Sequence, residues 1–212
     1  MNKVADTAVV SKELPDGRVN ILLVTCRPYE GDVGFRSISR PLVELIEEQH
    51  LPAHVHVLRP PTFARLREHL SERPDFYHLV HFDGHGGFGQ RPGEAVDNDK
   101  LQGKEHGVLV FEDERGEADP IDAKTLSDLL RSQAVPLMVL NACQSGMISD
   151  QSEDPFASVA ASLVKAGVSG VVAMAYSLYV SAAQEFLPSF YRELFARGDI
   201  SSATLAGRQK LR

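Results

Sequence analysis

The sequence predicts an α/β domain built on a mostly parallel, doubly wound six-stranded sheet with helices on both faces. Three observations point there. Short apolar runs alternate with amphipathic segments along the chain. Several of those runs are apolar on both faces, as expected of strands covered by helices on both sides. Two stretches without a packing pattern directly follow strand-like runs, where an open α/β sheet collects its ligand-binding loops. At 212 residues the chain is long enough for one well-buried core and short for two. It is therefore read as one domain over residues 1–212, either a whole protein or one module of a longer one.

Taken in order, Val19 to Thr25 (VNILLVT) is expected as the first strand, rich in β-branched and aliphatic side chains. Arg27 to Phe35 (RPYEGDVGF) has no periodicity and is expected as a loop at that strand's carboxyl end. Ser39, followed by Arg40 and Pro41, signals a helix start, and Leu42, Leu45 and Ile46 supply an apolar stripe, so a helix is predicted to His50. Next come a strand at Ala53 to Leu58 (AHVHVL), which carries His54 and His56, a helix at Thr62 to Glu72, and a strand at Tyr77 to Phe82 (YHLVHF). The Gly- and charge-rich Gly86 to Gly107 reads as a second loop, and Val108 to Glu112 (VLVFE) as a strand. The acidic run Glu112 to Glu117 (EDERGE) holds Arg-Gly between charges and reads as a solvated hairpin-like turn. Asp122 is a candidate N-cap for a helix to Ser132 with Leu126, Leu129 and Leu130 inward. Strands at Pro136 to Leu140 and Gly170 to Ala175 and helices at Asp154 to Ala166 and Ser181 to Arg197 complete the pattern. Gly167 and Gly198 stand where left-handed C-cap residues belong.

Composition excludes several classes of function. A hydrophobic fraction of 43% with 24% charged residues is ordinary for a soluble globule. No apolar run approaches the roughly 20 residues of a membrane helix, and the N-terminus lacks the apolar segment of a signal peptide, so a cytoplasmic protein is expected. The two cysteines, Cys26 and Cys143, suggest neither a disulfide framework nor a zinc knuckle, and free thiols are expected. A formal net charge of −7 argues against a sequence-independent grip on nucleic acid, which needs Lys and Arg against phosphates. Protein or peptide partners are expected instead.

Two motifs carry chemistry, HFDGHG at 81–86 and LNACQSG at 140–146. Each ends an apolar strand-like run, which places His85 and Cys143 in loops at the same end of two neighbouring parallel strands. A thiol attacks a carbonyl as thiolate, so Cys143 needs a base or a helix N-terminus beside it, and His85 can supply the base. Ser145 and Gly146 permit a tight turn whose backbone N–H groups face a developing oxyanion, and Gly86 offers another unobstructed N–H. His81, Asp83 and His85 alternate along a strand end and form the competing metal reading, but no second ligand cluster follows, so no metal or other cofactor is expected. Asp83 is read as fixing the loop or orienting His85, Cys26 as core packing, and His78 and His106 as structural or exposed.

Beyond these motifs, RPYEGDVGFRSISRPLVE (Arg27 to Glu44), VLRPPTF (Val57 to Phe63) and DPFASVAASLVKAGVSGVVAM (Asp154 to Met174) carry a family likeness. From about Val19 onward the chain resembles the CHAT family, caspase-like domains often joined to tetratricopeptide repeats in bacteria. The resemblance implies a caspase-type three-layer fold and cysteine endopeptidase chemistry, with His85 and Cys143 as the dyad and the N–H groups of Gly86 and Cys143 as the oxyanion site. It also implies a protein substrate and regulation by a partner or a tetratricopeptide-repeat module. In the related metacaspases an acidic residue two places before the nucleophile selects basic side chains; Asn141 stands there in this chain, so no preference for Arg or Lys is carried over. Arg27, Asp32 and Arg36 could set the charge of the substrate pocket but differ in sign, and Tyr176 and Ser177 stand where an extended substrate backbone could pair. Asp83 and Asn141 join them as candidate substrate-binding residues. Two alternatives stand beside the peptidase: an inactive peptide-binding module of the same fold, and a metal-dependent hydrolase using His81, Asp83 and His85.

Overall fold

A computed structural model of the chain describes residues 17–32, 39–48, 50–89, 106–142, 155–165, 167–173 and 180–211. The strands are β1 (Val19–Thr25), β2 (Ala53–Val57), β3 (Leu79–Gly89), β4 (His106–Glu112), β5 (Ala118–Asp122), β6 (Leu137–Ala142) and β7 (Gly170–Ala173). The helices are α1 (Ser39–Glu48), α2 (Phe63–Glu72), α3 (Ala123–Ser132), α4 (Pro155–Lys165), α5 (Val180–Arg197) and α6 (Ile200–Lys210). Parallel pairing runs β2-β1-β3-β6-β7, while β4 adds antiparallel to the far half of β3 and β5 adds antiparallel to β4.

Alternation along the strands divides the core into two layers. One face sends Leu22, Val24, Val80, Phe82, Met138 and Leu140 against Leu66 and Leu70 of α2, Leu126 and Leu130 of α3 and Val159 and Leu163 of α4. The other sends Ile21, Leu79, Leu137 and Val139 against Leu42, Leu45 and Ile46 of α1 and Phe186, Phe190 and Tyr191 of α5. Inner strands that are buried on both sides explain the uninterrupted apolar runs, and the α/β sheet with helices on both faces is as predicted.

Three details differ from the sequence reading. β3 does not end at Phe82: it runs through the HFDGHG motif to Gly89, because its last residues pair with β4. Glycine disfavours a strand by intrinsic propensity, so Gly84, Gly86 and Gly87 hid this half of the strand, and pairing overrides the propensity. His85 accordingly sits within a strand and not in a loop. Among the described residues the sheet has seven strands, the extra one being β5 (ADPID), whose proline and short length leave no period to read. α6 was also unpredicted; its apolar pattern is weak, but Asp199 caps it by accepting from the Ser201 and Ser202 N–H groups at 3.3 and 2.8 Å. Gly207 lets α6 approach α5, since a Cβ there would stand 2.5 Å from the Phe186 ring.

Other local signals act as read. Asp122 accepts from Lys124 N–H at 3.0 Å and Thr125 N–H at 3.1 Å as the N-cap of α3. Gly167 and Gly198 take φ of 101° and 68° after α4 and α5. The EDERGE run turns β4 into β5, with Asp113 Oδ1 accepting from the Arg115 and Glu117 N–H groups at 2.8 Å each. His54 and His56 belong to β2, and His78 is structural, accepting Asn20 N–H on Nδ1 at 3.0 Å.

His81 of β3 is wholly buried and stacks on Tyr191 of α5, with ring centroids 6.0 Å apart and Nδ1 2.7 Å from the tyrosine hydroxyl. Its Nε2 has no partner among the described residues, and burial pushes the imidazole pKa down to about 3. The unfolded chain takes up this proton below pH ~6.5 while the native chain cannot until about pH 3, so stability is complete above that window and falls with pH inside it. Equilibrium unfolding between pH 6 and 4 is expected to lose on the order of 1 kcal/mol per pH unit through this residue. The double variant His81→Phe/Tyr191→Phe, which keeps a stack and removes both polar partners, is expected to lack that component when the two pH series are compared.

Candidate active site

Parallel pairing in register aligns the carboxyl ends of β1, β3 and β6. Thr25 pairs with Asp83, Asp83 with Asn141, and Gly84 with Ala142. Leu79, His81, Asp83 and His85 share one face of β3, and Asn141 lies on the same face of the sheet as Leu137 and Val139.

Asp83 is the polar hub of this edge. Its Oδ2 lies 2.6 Å from Arg27 Nη2 and its Oδ1 accepts from Asn141 Nδ2 at 3.1 Å. Its backbone oxygen accepts from Cys26 N–H and Arg27 Nη1 at 2.9 Å each. Arg27 Nη1 also donates to the Cys26 carbonyl at 2.8 Å, and the Arg27 amide donates to Glu112 Oε1 at 2.6 Å, which ties the loop after β1 to the end of β4. The Arg27 and Asp83 side chains are only 17% and 3% exposed, so this pair belongs to the interior. Burial raises the pKa of the Asp83 carboxyl, and Arg27 and then Asn141 oppose that rise.

His85 is held separately. Its Nε2 lies 2.6 Å from Asp32 Oδ1, with the two side chains 8% and 7% exposed. The other carboxylate oxygen of Asp32 accepts from Tyr29 N–H at 2.9 Å, while Asp32 N–H donates to the Tyr29 carbonyl at 3.0 Å. The half-exposed Tyr29 ring meets the imidazole edge-on, with centroids 5.0 Å apart at 67°.

The direction of the Gly86 amide follows from Pro120. Val110 pairs with Pro120, and proline has no N–H, so these two form a non-hydrogen-bonded pair. Alternation then turns the peptide groups of Val110 toward β3, makes Val110 and His85 the hydrogen-bonded pair, and leaves Gly86 opposite Leu109 without ladder bonds. Two observations agree: Glu112, two residues after Val110, donates away from β5 to Pro61 O at 3.3 Å, and Asp83, two residues before His85, directs its carbonyl to β1. The N–H of Gly86 consequently points away from β4, to the side of β3 where β6 lies. Gly84 faces the opposite layer from His85, and a Cβ there would stand 2.9 Å from the Phe82 ring, so this position requires glycine.

Of the residues singled out from sequence, the structure gathers Arg27, Asp32, Asp83, His85, Gly86 and Asn141 at one end of the sheet. Arg36, Cys143, Tyr176 and Ser177 lie outside the described residues. Cys26 is fully buried, and burial, followed by the charge of Glu112, pushes its thiol well up. Sequence reasoning does not single out the contacts of Tyr29 and Glu112. Glu112 reads as part of an exposed acidic run but is partly buried against the Arg27 amide, and no local pattern marks either contact. His81, Asp83 and His85 share a face, yet each is engaged by a different partner, and no group of three metal-ligating side chains occurs among the described residues. No helix among the described residues is long and apolar enough to cross a membrane.

The family model for the CHAT domain matches residues 38–212, a span that contains both motifs and begins after the loop bearing Arg27 and Asp32. No curated protein matches the chain.

Removing one partner of the Arg27–Asp83 pair would leave an uncompensated buried charge. Arg27→Met is expected to destabilise the fold by about 3–5 kcal/mol in urea unfolding. Arg27→Met combined with Asp83→Asn, which removes both charges, is expected to recover a large part of that loss.

Proposed function

The chain belongs to the CHAT family, and from that membership we propose that it is a caspase-like cysteine endopeptidase in which His85 and Cys143 are the working pair. The observation that carries this reading is the register of β3 against β6. Gly84 pairs with Ala142, and these are the residues immediately before His85 and Cys143 in the chain. His85 and Cys143, 58 residues apart by number, are thus each the next residue in the chain after one in-register pair of neighbouring parallel strands. The direction of the Gly86 amide supports the second requirement, a donor aimed at the space beside β6.

In the proposed reaction His85 takes the thiol proton as the Cys143 sulfur bonds to the carbonyl carbon of the scissile peptide. The carbonyl electrons move onto oxygen, where the N–H groups of Gly86 and Cys143 hold the developing charge. Collapse breaks the C–N bond, the departing amine takes the proton from His85, and water activated by the same imidazole releases the acyl group and restores the thiol. The substrate backbone is proposed to run along Tyr176 and Ser177, beyond the carboxyl end of β7, and Arg36 to contribute to the pocket. Arg27, Asp83 and Asn141 satisfy one another, so the pocket presents a neutralised floor and not an open carboxylate, in keeping with Asn141 at the place of an acidic residue. A partner protein or an attached repeat module is proposed to control access.

The test is peptide-library hydrolysis by the wild type beside Cys143→Ala. Loss of turnover by at least about 10³-fold in the variant is expected, with a peptidyl electrophile labelling Cys143 and sparing the buried Cys26. Unchanged hydrolysis in Cys143→Ala, or peptide binding with neither hydrolysis nor labelling, overturns the proposal.

A further inference from the structure

We propose that Asp32 is the positioning residue for His85: its carboxylate holds the imidazole through Nε2–H and so assigns Nδ1 as the nitrogen that receives the thiol proton, an inference that rests on the peptidase reading above. A neutral imidazole carries one N–H, and which nitrogen bears it is set by the hydrogen bond the ring makes. A carboxylate only accepts, so the 2.6 Å contact to Asp32 Oδ1 places the proton on Nε2 and leaves the lone pair on Nδ1. When the S–H bond of Cys143 breaks and the Nδ1–H bond forms, the ring becomes an imidazolium whose charge lies against Asp32, and the proton later leaves to the amine nitrogen.

Asp32 is itself fixed. Its second oxygen is engaged by Tyr29 N–H at 2.9 Å, its own N–H returns to the Tyr29 carbonyl at 3.0 Å, and the Tyr29 ring stands against the imidazole. Asp83, another buried carboxylate of this edge, is occupied by Arg27 and Asn141, and among the described residues the carboxylate bonded to His85 is that of Asp32.

This arrangement makes an unusual demand on a substitution. Asn at position 32 has a single acceptor oxygen; if Tyr29 N–H claims it, the amide nitrogen faces Nε2, which must then accept, and the ring proton moves to Nδ1. Asp32→Asn thus selects the unproductive tautomer, whereas Asp32→Ala merely withdraws the partner and admits water. Asp32→Asn is expected to lower kcat by about 10²–10⁴-fold with KM within about threefold, and to be worse than Asp32→Ala, with Asp32→Glu recovering part of the activity. Nitrogen-15 NMR of the full chain, with His85 assigned by its absence in His85→Gln, is expected to show the proton on Nε2 in the wild type and on Nδ1 in Asp32→Asn.

A wild-type proton on Nδ1, or an Asp32→Asn variant that keeps kcat, overturns the inference. A purely packing role predicts that Asp32→Ala is the worse variant, and that ranking also overturns it. The tautomer is read without any substrate, so it decides the question even in a chain that cleaves no peptide. Failure of the peptidase reading is seen instead in the behaviour of Cys143→Ala.

Discussion

The parity of β3 governs the rest of the site. Side chains and peptide groups both alternate along a strand, and β3 must satisfy parallel neighbours with its first half and an antiparallel one with its second. With Leu79 and His81 inward against α1 and α5, Asp83 and His85 must share that face, and the amides of Gly84 and Gly86 must turn toward β6. A slip of one residue would exchange His85 with Gly86 and turn Phe82 out of its layer. The burial of Phe82 on one face and of Leu79 and His81 on the other holds the register, so the same packing that builds the core aims the imidazole.

The polar end of the sheet solves a second problem, that of several ionisable groups out of water. Two carboxylates sharing one cation would compete, and one would be left without compensation. Here they are divided: Arg27 and Asn141 satisfy Asp83, while Asp32 meets His85 and the Tyr29 amide. The loop after β1 supplies a member to each set, Arg27 to one and Asp32 to the other, and Glu112 anchors that loop through the Arg27 amide. Each of the two carboxylates thus has hydrogen-bond donors of its own. That division gives the buried imidazole one carboxylate partner among the described residues, separate from the one that meets Arg27.

Much of this was legible beforehand because the information was local. The apolar runs of β1 and β6, the stripes of α1 and α3, the caps at Asp122, Gly167 and Gly198, and the two motifs each declare themselves within a dozen residues. The glycine-rich half of β3, the proline-bearing β5 and the weakly patterned α6 did not, since pairing and tertiary contact form them where propensity is neutral or adverse. The sequence marks Asp32 as a charge near the site but not as the partner of His85, and marks neither Tyr29 nor Glu112, because a contact between loop and strand leaves no period in the chain.

The sequence by itself determined the class of fold and the end of the sheet at which Asp83, His85 and Asn141 stand, since alternating apolar runs and two motifs that follow them specify these without reference to distant residues. Only the tertiary structure decided which carboxylate meets His85, where the Gly86 amide points, and that Asp83 is spent on Arg27. The reason is physical: hydrogen bonds and ion pairs act over a few ångströms of space. Side chains 53 or 56 positions apart come within that range only when the strands register and the loop between them folds back.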